Sequence, residues 1–565
     1  MIRLPRPNPP AASRGGRALP ALALAAALLL SPTTDAAPCG TVVIPTGLGA
    51  DGIAANVASL HPVLDPGSLY DQEAYNLLYR PLLWFAPDHS IDFALSHASA
   101  IAVSDDRTVF RVTLHPITWS DGVPVTADDV VYGFELIKAL GPAYAGYGTG
   151  GIPDLFKSVA AAGPLELDVT LTQPVNPEWL ELVGLQQLYA LPRHAWSKYS
   201  LDEQRSLQTD TGFLSVVDGA FRLAEFNVGR DAVFEPNPTW TGRQPAMARL
   251  VLDFLQGVNP LEALQAGELD AASIPFAVYD QAVKLPGFQV VRQQPYSGYN
   301  SLMPNMANPA VAFFRDVRVR QAIADAIDQD EIVRLVYHGN SVPVHDSIPP
   351  RPEAFLSPDA RAGKYPTGYN PQKARALLAA AGWQPGPDGI MVKDGRRLEW
   401  TDLLSAGSND GLVLTQVIQA NLAAAGMRMN IRQMEFNQII ATQERDPLGW
   451  EMASIAWTFP SYPDMQTNFG TGAGQNFTKY SDPKTDALLA QVSGEPGRDA
   501  LFALQDYLAA QQPFIFLPQG SYAMLTAPGI AGLTDAVQSN YLWKPEFLTF
   551  TGARACDAAQ DHHPS

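Results

Sequence analysis

The sequence has little of the chemistry on which enzymes and metal proteins most often depend. It contains two cysteines and nine histidines among 565 residues, and it lacks the HExxH, CxxC and GxSxG motifs. Its 38 basic residues are outnumbered by 57 acidic ones, which gives a net charge of −19. A nucleic-acid-binding protein needs a basic face. We therefore expect no enzyme activity, no metal, no cofactor and no nucleic-acid partner.

Long apolar runs are also rare, and the clearest one lies near the start of the chain. Four arginines precede the apolar run Ala18–Leu30, and small residues follow it up to Ala37. A basic start, a short apolar run and small residues are typical of a secretory signal peptide. The run is shorter than the roughly 20 residues that a membrane span needs. We predict that residues 1–36 are a cleaved signal peptide and that the mature chain is exported and soluble.

The two cysteines lie at opposite ends of the mature chain. Cys39 follows the predicted cleavage region, and Cys556 lies close to the C-terminus. Two cysteines in an exported protein most simply form a disulfide, so we predict a Cys39–Cys556 bond. A lipid anchor on Cys39 and two free thiols remain open, although Pro38 stands where a lipoprotein has a small residue.

The segment Thr108–Leu140 predicts a strand, a turn and a capped helix. Phe110, Val112 and Leu114 alternate with polar positions, as in a half-buried strand. A Trp-Ser-Asp-Gly turn follows, and Thr126 with Asp129 has the spacing of a helix capping box.

This segment also closely resembles the signature of the family 5 extracellular solute-binding proteins, the oligopeptide, dipeptide and nickel-binding group of ABC importers. The matching residues are Ser120, Asp121, Gly122, Pro124, Val125, Thr126, Ala127, Asp129, Val130, Tyr132 and Phe134. Three further stretches, 76–82, 313–322 and 370–383, are similar to other motifs of the family. The resemblance identifies the scaffold and not the ligand.

The resemblance implies an α/β, periplasmic-binding-protein-like fold with two α/β lobes, a ligand cleft between them and an extra subdomain in the first lobe. We expect lobe 1 at 37–295, with the subdomain at about 61–195, and lobe 2 at 296–511. Residues 512–556 are expected to return to lobe 1, beginning with a strand at 513–518, and 557–565 to form a disordered tail.

The resemblance also suggests where a ligand would bind. The stretch Ile455–Asp464 is similar to the family's cleft loop. Aromatic and polar residues on it or near it are the predicted ligand contacts: Trp457, Phe459, Tyr462, Asp464, Asn476, Tyr299 and Asn305. Peptide-binding members have an aspartate for the peptide's ammonium group where this chain has Pro460. Because a buried ammonium without a counter-charge is costly, ordinary peptides are disfavoured as ligands.

These features predict a monomeric periplasmic solute-binding component of an ABC transporter, which captures a solute by hinge closure and delivers it to permease subunits in the inner membrane. An N-blocked peptide, an oligosaccharide or another bulky polar compound would suit the site. Two alternatives remain open. One is an exported peptide or glycoside hydrolase that uses cleft carboxylates, and the other is a chaperone-like surface protein that scavenges peptides.

Overall fold

The computed structural model describes residues 38–48, 56–64, 68–255, 259–292, 298–406, 408–459, 461–521, 523–538 and 541–554. The predicted signal peptide, Pro460, Cys556 and the predicted tail lie outside these residues. The described residues belong to one compact unit. Cys39 is disulfide-bonded, and its pairing with Cys556 stays a prediction.

Two sheets contain the strand Thr41–Pro45, the strands between residues 221 and 292, and the later strand Ala523–Thr526. The first has four strands, in the order Thr41–Pro45, Arg249–Asp253, Asp231–Pro236 and Phe221–Asn227. The first two of these strands are parallel and the others antiparallel. The second sheet is antiparallel, in the order Gln289–Arg292, Ala523–Thr526 and Ala271–Ile274.

An antiparallel sheet and a helix form the region predicted as the subdomain. The sheet has the order Ala98–Val103, Val109–Leu114, Glu166–Leu171 and Phe156–Gly163. The strand and capped helix predicted from Thr108–Leu140 are confirmed, because Val109–Leu114 is followed by the helix Ala127–Leu140. The amide of Thr126 donates to Asp129 Oδ2 at 2.8 Å, which closes the predicted capping box.

Close packing of this helix explains a glycine in its middle. A Cβ added to Gly133 would lie 2.4 Å from the carbonyl oxygen of Tyr189. The helix therefore approaches the backbone of residue 189 more closely than any other side chain would allow. Val125, Ala127 and Val130 of the matched motif are buried, so this part of the motif stabilises the fold.

A five-stranded mixed sheet forms the core of the other lobe. Its order is Arg428–Met434, Glu399–Ser405, Met452–Thr458, Gly298–Pro304 and Ile515–Leu517. Asp402, in the second of these strands, is completely buried and accepts a hydrogen bond from Ser454 Oγ at 2.7 Å. Burial raises the pKa of Asp402 to about 7, against the smaller opposing effect of that hydrogen bond.

The strand predicted at 513–518 does not return to the first lobe. Ile515–Leu517 pairs antiparallel with Gly298–Pro304 and so completes the second-lobe sheet. The next strand, Ala523–Thr526, is the one that pairs with Ala271–Ile274. The apolar sequence of 513–518 predicts a buried strand, but apolarity alone does not select its partner.

Three small sheets complete the strands: Gln384–Pro385 with Met391–Lys393 and Arg396–Arg397, Ile530–Ala531 with Thr549–Phe550, and Val537–Gln538 with Tyr541–Leu542. The α-helices before residue 300 are Leu69–Leu78, Ala127–Leu140, Pro177–Trp179, Arg193–Trp196, Leu201–Ser206, Pro260–Ala266 and Tyr279–Ala282. Those after it are Val317–Ala326, Gln329–Leu335, Pro358–Arg361, Pro371–Ala380, Asn409–Ala424, Phe436–Arg445, Gln466–Phe469, Pro483–Gly494, Asp499–Gln511 and Leu533–Ala536.

Polar side chains cap the first turns of three of the later helices. Side-chain oxygens of Asp316, Asp328 and Asn370 each accept a hydrogen bond from a first-turn amide, at 2.9–3.0 Å. Helices and sheets are thus combined as the α/β prediction requires. The lobe boundary at residue 295 stays a prediction, whereas the one at 511 is too early, because Ile515–Leu517 belongs to the second-lobe sheet.

Candidate functional site

A cavity of about 240 Å³ lies where several distant segments of the chain meet. The helix Leu69–Leu78 contributes one wall, and residues 144–146 and 186–189 contribute others. Thr458, the last residue of a second-lobe strand, also lines it. The C-terminal segment supplies Gln538, Tyr541 and Trp543. The cavity therefore combines first-lobe residues with the end of a strand from the second lobe.

The walls of this cavity combine aromatic rings and amide side chains. The aromatic side chains that also carry a polar group are those of Tyr75, Tyr144, Tyr189, Tyr541 and Trp543. The amides belong to Gln72, Asn76, Gln186, Gln187 and Gln538. No Asp, Glu, Lys, Arg or His is among the described residues that line it. The site offers stacking surfaces and neutral hydrogen-bonding groups.

Two hydrogen bonds fix the orientation of amides in the wall. Tyr189 Oη donates to Asn76 Oδ1 at 2.9 Å, and Tyr144 Oη donates to Gln187 Oε1 at 3.0 Å. Three other buried atoms of lining residues have no hydrogen-bond partner, namely Asn76 Nδ2, Trp543 Nε1 and Gln538 Oε1. Buried polar atoms are usually paired, so these atoms leave hydrogen-bonding capacity for a bound molecule.

A second void, of about 10 Å³, adjoins the same wall. Asn76 and Trp543 line both spaces, whereas Arg80 and Glu546 line only the smaller one. Burial raises the pKa of Glu546 to about 7, although the nearby Lys544, Arg243 and Arg80 oppose this shift. The void has room for about one water molecule, and the charged groups lie behind the cavity wall.

Polar contacts join the segment 176–182, of the predicted first lobe, to the segment 461–498, of the predicted second lobe. Trp179 Nε1 donates to Asp464 Oδ2 at 3.1 Å, and Ser461 Oγ donates to the carbonyl of Leu182 at 2.5 Å. Asn176 Nδ2 donates to the carbonyl of Val492 at 3.0 Å. These contacts bridge the two segments in the described conformation.

An ion pair strengthens the same bridge. Arg498 Nε donates to both carboxylate oxygens of Glu178, at 3.1 and 2.9 Å, and Arg498 Nη2 also contacts this carboxylate. The guanidinium donates to the carbonyl of Ala354 at 2.6 Å and lies 4.4 Å above the ring of Phe355. Burial, with the added charge of Glu178, raises the pKa of neighbouring Glu181 to about 7.

Three of the predicted ligand contacts lie together beside the cavity. Tyr299 is opposite Trp457 in the strand register, and its ring centroid lies 5.6 Å from that of Phe459. Tyr299 and Phe459 are buried, and Trp457 stacks on Phe514 at 5.9 Å. None of the three lines the cavity, whereas Thr458 between Trp457 and Phe459 does.

The other four predicted contacts also lie outside the cavity lining. Tyr462 packs edge-on against Phe355 at 5.3 Å, and burial raises its pKa above the usual range. Asp464 accepts from Trp179, and burial raises the pKa of its carboxyl group. These two residues therefore belong to the bridge between the segments.

The two predicted asparagines are fixed by their own surroundings. Asn476 Nδ2 donates to the carbonyls of Gly470 and Tyr480, and its Oδ1 accepts from Thr478. Asn305 Nδ2 donates to the carbonyls of Pro447 and Trp450. Both side chains hold loops in place. Direct ligand contact by any of the seven predicted residues stays untested.

No sequence pattern predicted the amide-rich wall. Its residues come from positions 62–543 and follow no shared period, so neither helical nor strand spacing groups them. The available local signals were Gln186-Gln187 and the Tyr144-Ala145-Gly146 loop, both uncharged in a strongly acidic chain. A pattern of that kind indicates polar surface as readily as a binding wall.

In the described part of the chain, no cluster of three or more His, Cys, Asp or Glu side chains has an arrangement that could hold a metal ion. None of the helices in that part combines the length and apolarity needed to cross a membrane.

Known proteins resemble this chain in both sequence and fold. Oligopeptide-binding protein AppA of Bacillus subtilis is 25% identical over 464 residues, which cover 80% of this chain and 82% of AppA. The crystal structure of the ABC transporter substrate-binding protein CtaP from Listeria monocytogenes has a TM-score of 0.76 at 17% identity, covering 91% of this chain and 100% of that one. NikA from Brucella suis, in complex with Fe(III)-EDTA, has a TM-score of 0.75 at 20% identity, covering 91% and 100%.

The two-lobed, periplasmic-binding-protein-like fold expected from the sequence is confirmed by these structures. The profile described as "Bacterial extracellular solute-binding proteins, family 5 Middle" matches residues 93–479. This match covers more than half of the chain and includes the capped helix and the bridging segment 176–182. The chain belongs to the bacterial extracellular solute-binding proteins of family 5.

Proposed function

We propose that this protein is the periplasmic solute-binding component of an ABC importer. It captures a solute between its two lobes and delivers it to permease subunits in the inner membrane. It reaches the periplasm through the predicted signal peptide at 1–36 and acts there as a monomer that binds its ligand without converting it. Support comes from the family membership and from relatives such as AppA, which is described as an oligopeptide-binding protein.

The observation that carries this proposal is the position of the cavity. First-lobe residues form most of its wall, and Thr458 of the second lobe closes another part. Contacts such as Trp179–Asp464 hold the two sides together nearby. A solute in this cavity touches both lobes, so it favours the closed arrangement over the open one. Differential affinity of this kind drives closure in two-state proteins.

Small-angle scattering and thermal melting test the proposal. Both are measured on the purified mature protein with a broad set of peptides, sugars and metal complexes. A captured solute should reduce the radius of gyration, raise the melting temperature and be recovered chemically unchanged after denaturation. A solute that is hydrolysed, with neither compaction nor stabilisation, would favour the hydrolase alternative and contradict the proposal.

A further inference from the structure

The described part of the cavity wall is uncharged in a protein that is rich in acidic residues. The chain carries a net charge of −19, yet no ionisable Asp, Glu, Lys, Arg or His side chain is among the described residues lining the cavity. The ionisable side chains of Arg80 and Glu546 line the smaller void and not the cavity. On the described part of the wall, a ligand therefore meets neutral groups only.

We infer that the ligand of this site is an uncharged molecule carrying hydroxyl or secondary amide groups. This inference rests on the proposed function. A free ammonium or carboxylate would lose hydration in the cavity without gaining a counter-charge from the described wall, which is costly. A neutral sugar hydroxyl or a peptide amide loses less free energy on desolvation, and it recovers that free energy through single hydrogen bonds.

The hydrogen-bonding groups of the wall favour the same chemistry. Asn76 Nδ2 and Trp543 Nε1 are unpaired donors, and Gln538 Oε1 is an unpaired acceptor. Asn76 and Trp543 line both spaces, so a water molecule in the smaller void would compete with the ligand for their hydrogen bonds. Gln538 lines the cavity and not the smaller void. An ammonium only donates and a carboxylate only accepts, but a hydroxyl or an amide does both. One neutral ligand can therefore pair with both kinds of unpaired atom.

The aromatic residues supply the remaining part of the recognition. Tyrosine and tryptophan rings bind the apolar faces of sugars and aliphatic groups while their polar atoms hydrogen-bond. Tyr189 combines both roles, since its ring lines the cavity and its hydroxyl orients Asn76. Sugars and capped peptides share the required chemistry, and the experiment must distinguish these two sources.

The experiment compares neutral molecules with charged counterparts that differ only in acetylation or amidation. N,N′-diacetylchitobiose is paired with its free-amine form, and N-acetyl-trialanine amide with trialanine, within a wider set of neutral and charged sugars and peptides. Melting temperature and calorimetry measure binding. We expect the neutral member of a binding pair to bind at least about tenfold more tightly, in the sugar arm or in the peptide arm.

Variants place a charge in the wall. Gln187→Glu keeps the oxygen that accepts from Tyr144 Oη, so this hydrogen bond survives. Gln186→Glu is a second lining variant, and Gln384→Glu is the control at an exposed strand position. We expect either lining variant to weaken binding of the neutral probe about tenfold and to improve binding of its amine counterpart. The control should bind as the wild type does.

The two proposals fail in different ways. Charged members that bind as tightly as their neutral counterparts would overturn the inference about the ligand and leave solute capture standing. The absence of any stabilisation or compaction across the whole set would overturn solute capture, and the inference with it. Lining variants that bind like the control would also overturn the inference.

Discussion

The ion pair between Arg498 and Glu178 provides a direct test of the bridge between the lobes. The guanidinium contacts both oxygens of Glu178, the carbonyl of Ala354 and the ring of Phe355. Arg498→Ala removes all of these contacts. It also leaves the Glu178 carboxylate unpaired beside Glu181, whose pKa burial and Glu178 already raise to about 7.

The size of the effect follows from the partial burial of the pair. Both side chains are 29% exposed. Exposed pairs contribute about 0–1 kcal/mol, whereas breaking a buried pair costs about 3–5 kcal/mol. We therefore expect Arg498→Ala to destabilise the bridged arrangement by about 2 kcal/mol. That change corresponds to a shift of about thirtyfold in the equilibrium between bridged and open arrangements.

Small-angle scattering and urea unfolding measure this effect on the protein without added solute. Arg498→Ala should increase the radius of gyration, and Arg498→Lys, which keeps the charge but loses the paired geometry, should lie between it and the wild type. Arg334→Ala is the control, because the Arg334–Glu331 pair joins neighbouring turns of one helix at 3.9 Å. If Arg498→Ala scatters and unfolds like Arg334→Ala, the bridge does not hold the lobes together.

Three further predictions concern stability and covalent structure. In the unfolded chain Asp402 loses its proton near pH 4, whereas in the folded protein it does so near its raised pKa of about 7. The free energy of unfolding should therefore fall as pH rises through this window. Asp402→Asn should remove that decline and stabilise the protein by up to about 4 kcal/mol at pH 7 in urea titrations. Gly133→Ala should destabilise by about 1–3 kcal/mol, although helix propensity alone predicts a gain of about 1 kcal/mol. Reduction should increase the intact mass by about 2 Da if the Cys39–Cys556 bond exists.

Two of these predictions have a matched control variant. Asp105→Asn changes an exposed carboxylate, and it should leave the pH dependence of stability as it is in the wild type. Gly494→Ala adds a methyl group where nothing lies within 4 Å, and it should be neutral or stabilising. A pH profile unchanged by Asp402→Asn, or a Gly133→Ala protein as stable as Gly494→Ala, would contradict the structural reasoning. An unchanged mass under reductant would exclude the disulfide.

Local patterns in the sequence were sufficient for the scaffold. The strand at 109–114, the capping box of Thr126 and Asp129, and the caps at Asp316, Asp328 and Asn370 all depend on neighbours a few residues apart. Such interactions follow from backbone hydrogen bonding and side-chain spacing. Partner choice over long distances was harder, and the strand at 515–517 was assigned to the wrong sheet for that reason.

The sequence by itself therefore determined much of the secondary structure, because capping, alternation and turn chemistry are local properties of the chain. It indicated the fold class and the family through the resemblance of its motifs to those of family 5. Only the tertiary structure decided what surrounds the cavity. In the folded protein, the side chains of Asn305 and Asn476 hydrogen-bond to loop backbones. Asn76, Thr458 and Trp543 line the same cavity. Residues so far apart in the chain become neighbours only when the lobes pack, and no periodic pattern records that contact.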